Sequence, residues 1–149
     1  MIEIAPTLRD QMVEHALREF PNEACGLLAG SFAQDGRANG RPPTASTDRF
    51  YPMKNADASP VTYRLDPAEQ LAITEAMEGQ GLELVGIVHS HTHSDAYPSP
   101  TDSHQASFIE PFYPDTYYVL VSLQDRNNPV IRAFSIRDGQ IEEQDVITT

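Results

Sequence analysis

Leu82-Glu83-Leu84-Val85-Gly86-Ile87-Val88-His89-Ser90-His91 is the stretch that decides the architecture. It is apolar and rich in β-branched residues, which reads as a central strand. Its last two imidazoles, His89 and His91, stand two apart, so the alternation of a strand projects both from one face. Beyond them Thr92 to Pro100 is polar and turn-forming, and Thr101 or Asp102 opens a short helix. A carboxylate returning from that helix start could complete a set of two histidines and one acid. Such a set leaves a fourth tetrahedral position for water, which is the catalytic rather than the structural zinc arrangement.

Moving outward, residues 2–5 read as a short strand. Thr7-Leu8-Arg9-Asp10 resembles a capping box, and Leu8, Met12, Ala16, Leu17 and Phe20 recur at helical spacing before Pro21. His15 falls on the polar side of that helix. Ala24 to Ala29 is a continuous apolar run closed by Gly30, a buried strand. Ser31 to Thr47, rich in Gly, Pro, Ser and Asn, is expected to be an exposed, mobile loop.

Arg49–Met53 and Val61–Leu65 are strand candidates. Asp66-Pro67-Ala68-Glu69 supplies an N-cap, a first-turn proline and an acid for a second helix running to about Met77, ended by Gly79 and Gly81. Thr116–Leu123, Val130–Ile136 and Gln140–Val146 form an antiparallel meander, with Asp138-Gly139 as hairpin turn. Two helices interrupting such strands predict an α+β fold, a mixed central sheet with helices packed on it. The 149 residues fit a single domain, 1–149, with no internal repeat.

Composition excludes more than it selects. The single cysteine, Cys25, rules out an internal disulfide and any zinc site needing several thiolates, including that of the zinc nucleobase deaminases. A formal charge of −12, with Lys54 the one lysine, argues against nucleic acid. It suits either a high-salt setting or an ordinary acidic protein, and names no reaction. No run approaches membrane-spanning length, and Met1–Pro6 lacks a basic segment leading into an apolar one. The expected location is cytoplasmic, with no membrane partner.

Imidazole and carboxylate donors suit zinc; the lack of thiolates argues against copper(I) or iron–sulfur chemistry, while non-haem iron remains open. His-x-His alone is a weak signal, since two polar histidines at a strand end give the same letters. The wider spacing carries more. Ser99 lies ten residues after His89 and Asp102 thirteen after it, and together with His91 they resemble the motif of the JAMM metalloproteases, the MPN+ domain. Asn22-Glu23-Ala24-Cys25-Gly26, Ser59-Pro60 with Tyr63-Arg64-Leu65-Asp66, His89-Ser90-His91-Thr92, Ala96-Tyr97-Pro98-Ser99 and Tyr118 to Ser122 are similar to one bacterial branch of it. Members of that branch remove a residue, notably cysteine, from the C-terminus of a ubiquitin-like sulfur-carrier protein.

The resemblance covers residues 8 to 146 and implies a cytidine-deaminase-like α/β/α sandwich. It implies one zinc ion per chain on His89, His91 and Asp102, with Glu23 as proton shuttle and Ser99 as oxyanion donor. The implied partner is the Gly-Gly tail of a sulfur carrier. Thr92 departs from the proline many family members carry there, and the Ser31–Thr47 loop is longer than usual for the branch. Two alternatives within the family are a non-catalytic interaction module and a deubiquitinase-like isopeptidase.

Four other residues compete for a role. His93 continues the alternate series and would make a three-histidine site if the strand ran on, but Ser94-Asp95 already signals a loop. His104, two past Asp102, would point elsewhere on a helix. Cys25 inside an apolar strand reads as inert packing rather than a nucleophile. Tyr97 lines a groove or packs the loop.

Overall fold

The computed structural model describes residues 1–34 and 41–148. Its elements are β1 (Ile2–Glu3), α1 (Pro6–Glu19), β2 (Cys25–Phe32), β3 (Ala45–Met53), α2 (Pro67–Gly79), β4 (Glu83–His91), α3 (Pro100–Ile109), β5 (Tyr117–Ser122), β6 (Val130–Arg137), β7 (Gln140–Gln144) and β8 (Val146–Ile147). The strands join in one mixed sheet of order β7-β6-β5-β4-β2-β3-β1-β8. β4 and β5 run parallel, with α3 in the connection between them; β2 lies antiparallel to β4 on its other side. This is the α+β architecture, and β4 is central as its apolar run requires.

The sheet separates two cores. On one face α1 lays Leu8, Met12 and Ala16 over Leu28, Val88, Val119 and Val121. On the other, Met77 of α2 and Ala106 of α3 pack with Leu27, Ile87, Leu120 and Phe134. A register shift between Leu28 and Ala29, opposite Gly86 and Leu84, resets the alternation of β4. From Ile87 onward the odd residues face α2 and α3. His89 and His91 therefore emerge on the side where α3 begins.

Several expectations change. The first helix starts at Pro6 with Ala5 as N-cap and no side-chain cap, so the Thr7 capping box does not form. Proline at the first helical position supplies the start instead. His15 is buried, not on a polar face. Val61–Leu65 is no strand: one isolated bridge joins Leu65 to Asn55. The Asn55 side chain takes over the pairing, donating to Glu23 O and Thr62 O and accepting from Asp57 N and Arg64 N.

Ser31 and Phe32 belong to β2 and Ala45–Thr47 to β3, while Pro42 and Pro43 are buried. The expected loop is correspondingly shorter, and its central residues 35–40 lie outside the described residues. The α3 cap is Ser99 rather than Thr101 or Asp102. The expected last strand divides at Asp145, so that β8 pairs with β1 across the sheet. α2 is capped by Asp66 as its sequence indicates, and Asp138 and Gly139 both take positive φ in the β6–β7 turn. No helix among the described residues is long and apolar enough to cross a membrane.

Candidate active site

Three donor atoms converge at the end of β4. His89 Nε2 and His91 Nε2 are 3.2 Å apart, and each lies 3.0 Å from Asp102 Oδ2. All three residues are buried. Asp102 arrives there because α3 opens with a reciprocal capping box: Asp102 N donates to Ser99 Oγ at 3.1 Å, and Ser99 N donates to Asp102 Oδ2 at 2.9 Å. A device that satisfies a helix terminus thus also aims the carboxylate.

The two rings are held differently. His91 Nδ1 is 2.8 Å from the Asp95 carbonyl oxygen, which can only accept, so Nδ1 carries the hydrogen and Nε2 presents its lone pair to the cluster. His89 stacks on buried Tyr63, with ring centroids 4.3 Å apart and planes inclined by 19°. Its Nδ1 has no hydrogen-bond partner among the described residues.

This arrangement tests whether a metal ion fits. With both rings neutral, three electron-rich atoms crowd together with at most one hydrogen, that of His89, between them. Burial opposes ionisation of Asp102, but the two imidazoles, His89 and His91, outweigh it and hold the carboxyl well below its ordinary range. Burial lowers the pKa of His89. For His91 burial also acts to lower it, but Asp102 and the Asp95 carbonyl prevail and raise it. The cluster calls for positive charge at its centre. The three ligand atoms are mutually close enough to share one cation, and their chemistry suits a divalent ion.

Glu23 sits in the turn between α1 and β2, and its backbone is fixed on both sides. Glu23 N donates to Ser59 O at 2.8 Å, and Glu23 O accepts from Asn55 Nδ2 at 3.0 Å. Its side chain is buried, with Oε1 unpartnered among the described residues. Burial pushes its pKa up to about 8, with His91 opposing and Asp102 reinforcing the shift. Glu23, His91 and Ser99 line one surface pocket with Pro60, Val61, Thr92, His93 and Ser94.

The competing residues stand apart from the cluster. His93 is exposed and stacks on Phe20, while His104 meets Phe108 edge-on. Cys25 is buried, with a thiol raised by burial to about 12, so it is no nucleophile. Tyr97 packs edge-on against Phe134 while remaining 46% exposed. Sequence reasoning missed three supports of the site: Asn55, Tyr63 and the Asp95 carbonyl. Tyr63 stood within the family-like segment, but its stacking on His89 joins residues far apart in sequence. The other two act through hydrogen bonds that no pattern announces.

Fold and cluster together define an α+β domain with a metal-ready site at the junction of a central strand and a helix start. The chain belongs to the prokaryotic homologs of the JAB domain, whose family model matches residues 6–137. It is 43% identical over 143 residues to the CysO-cysteine peptidase of Mycobacterium tuberculosis, covering 96% of this chain and 88% of that one. It is 36% identical over 130 residues to the desampylase of Haloferax volcanii, covering 84% and 83%. The solution structure of a Desulfitobacterium hafniense protein superposes with a TM-score of 0.84 at 33% identity, over 100% of this chain and 93% of that one.

Proposed function

We propose that the chain is a zinc-dependent peptidase, one JAMM/MPN+ domain over residues 1–149. It hydrolyses the bond after the Gly-Gly tail of a ubiquitin-like sulfur-carrier protein and releases a C-terminal residue, cysteine first among candidates. The convergence of His89, His91 and Asp102 beside a pocket containing Glu23 carries the reading. The likeness to a peptidase named for a cysteine-bearing substrate supports the leaving residue. The expected setting is cytoplasmic, with neither nucleic acid nor membrane as partner.

His89, His91 and Asp102 would hold the ion, which when bound supplies a Lewis acid and lowers the pKa of water. Glu23 takes the proton of the attacking water and passes it to the leaving amine. In the metal-free chain burial raises that carboxyl to about 8, and a bound cation would bring it back down to where a carboxylate takes and returns a proton. Ser99 Oγ already accepts from Asp102 N, which leaves its own hydrogen to donate to the developing oxyanion. Glycines in the tail allow its backbone to approach a site set below the surface.

The test is incubation of the purified chain with a sulfur carrier ending Gly-Gly-Cys, followed by intact mass. Loss of one cysteine, abolished by a chelator and restored by zinc, is expected. An unchanged mass at stoichiometric enzyme and zinc would defeat the reading. The intact donor set speaks against a non-catalytic module.

A further inference from the structure

His89-Ser90-His91-Thr92 alternates imidazoles with hydroxyls, and the chemistry above uses only the imidazoles. Ser90 lies between the two candidate ligands, on the opposite face of β4 by strand alternation. Thr92 follows directly after the strand. Both are buried, at 1% and 5% exposure, where a hydroxyl needs a hydrogen-bond partner. The partners of both lead to Glu23.

Ser90 grips the residue after Glu23. Its Oγ accepts from Ala24 N at 2.7 Å, and its own N donates to Ala24 O at 2.9 Å. Thr92 acts from the other side. Its Oγ1 donates to Pro60 O at 2.9 Å, and the adjoining carbonyl, Ser59 O, accepts from Glu23 N at 2.8 Å. Ser59 Oγ accepts from Val61 N at 3.1 Å and Thr62 N at 3.2 Å, which closes the turn carrying both carbonyls. A proline at position 92 would have no hydroxyl to make the bond to Pro60 O.

These anchors matter because the Glu23 side chain is not itself tied down. Its Oε1 is buried and has no partner among the described residues, so no hydrogen bond to that atom aims the carboxylate. Its place in the pocket it shares with His91, Pro60 and Thr92 is set from the backbone. That backbone is fastened to the two residues that alternate with the candidate ligands. One short stretch of chain therefore carries both imidazoles and the struts of the nearby acid.

We propose that Ser90 and Thr92 are positioning residues, whose hydroxyls hold the Glu23 segment at a fixed reach from the site of His89 and His91. The inference rests on the proposed function and deepens it. In His89-Ser90-His91-Thr92 the first and third residues face the ion, and the second and fourth keep the proton shuttle in register with it. Misplacing a reacting group by about 1 Å costs about 10²-fold in rate, so the struts set turnover without touching the substrate.

The experiment measures kcat, KM and bound zinc with a carrier ending Gly-Gly-Cys. The chains compared are wild type, Thr92→Val, Thr92→Ser and Ser90→Ala, each alone and combined with Glu23→Gln. Thr92→Val keeps the side-chain shape and removes the hydroxyl; Ser90→Ala supplies the second reading should that variant not fold. Each should lower kcat about tenfold to a hundredfold, with KM and zinc content unaltered. Thr92→Ser should restore most of the rate. Combined with Glu23→Gln, the same substitutions should cost less than about twofold, because no proton shuttle remains to be misplaced. Undiminished kcat in a folded Thr92→Val or Ser90→Ala chain, loss of zinc from either, or losses that add in full to that of Glu23→Gln overturn the inference and leave the peptidase reading standing. Failure of wild type to cut the carrier overturns both.

Discussion

Asp102 and Glu23 are both buried carboxylates of the candidate site, yet their surroundings drive them in opposite directions. Asp102 opens a helix, accepts from the Ser99 N–H and lies 3.0 Å from the Nε2 atom of each imidazole, so it stays ionised despite burial. Glu23 sits in a turn whose backbone is tied to Asn55 and Ser59, and one carboxylate oxygen finds no partner among the described residues. Its proton is held up to about pH 8. The difference teaches how neighbouring surroundings can suit one functional group to two different tasks. In the proposed reading the satisfied acid would hold the cation and the unsatisfied one would carry the proton.

The largest effect should come from removing the satisfied acid. Asp102→Ala is expected to lose both bound zinc, by elemental analysis, and all measurable hydrolysis. Retention of either would assign the ion elsewhere. Glu23→Gln should keep its zinc while turnover falls by about 10²–10⁴-fold, the usual worth of a proton shuttle. Loss of metal in that variant would erase the contrast between the two acids.

Ser99→Ala tests the cap and the proposed oxyanion role of that hydroxyl together. It is expected to lower kcat by about a hundredfold through the lost oxyanion donor. The lost helix cap should cost about 1 kcal/mol in denaturant unfolding. A stability loss without a kcat effect would leave Ser99 as a cap only.

The contrast can also be read from stability in the chelated protein. Glu23 has its pKa raised in the fold, so its favourable contribution is complete below its ordinary value of 4.5. That contribution is lost as pH rises towards about 8. Metal-free Glu23→Gln should therefore gain on wild type between pH 4.5 and 8 in urea unfolding, and a constant difference would deny the shift. Asp102 has the opposite sign: its contribution holds above its ordinary 3.8 and disappears as pH falls below that value. The smallest effect belongs to Cys25, whose alkylation under native conditions should leave the rate unchanged, because the thiol is buried and protonated.

Elements with a local signature were legible in the sequence. β4, β5 and β6 announced themselves by apolar runs, the β6–β7 turn by Asp138-Gly139, and α2 by Asp66 and Pro67. His15 was legible but misread: it lies seven past Leu8 and three past Met12, on the buried stripe of α1, where its Nε2 meets Cys25 O at 3.0 Å. Val61–Leu65 had strand-like letters, but Asn55, some residues earlier, captured the backbone groups a sheet would have used. The β-strand alternation and the Ser99–Asp102 spacing were enough to bring three donors into one place. The ring of Tyr63 on His89 and the carbonyl of Asp95 on His91 depended on tertiary contacts, which a linear pattern does not encode.

The central claim is that His89, His91 and Asp102 together hold one divalent ion on which hydrolysis depends. Native mass spectrometry of the chelated chain titrated with zinc, read alongside cleavage of a Gly-Gly-Cys carrier, addresses it most directly. Activity should rise in proportion to zinc and level off at one ion per chain. Full cleavage by a chain carrying no zinc, or a saturated site with no cleavage at all, would contradict it.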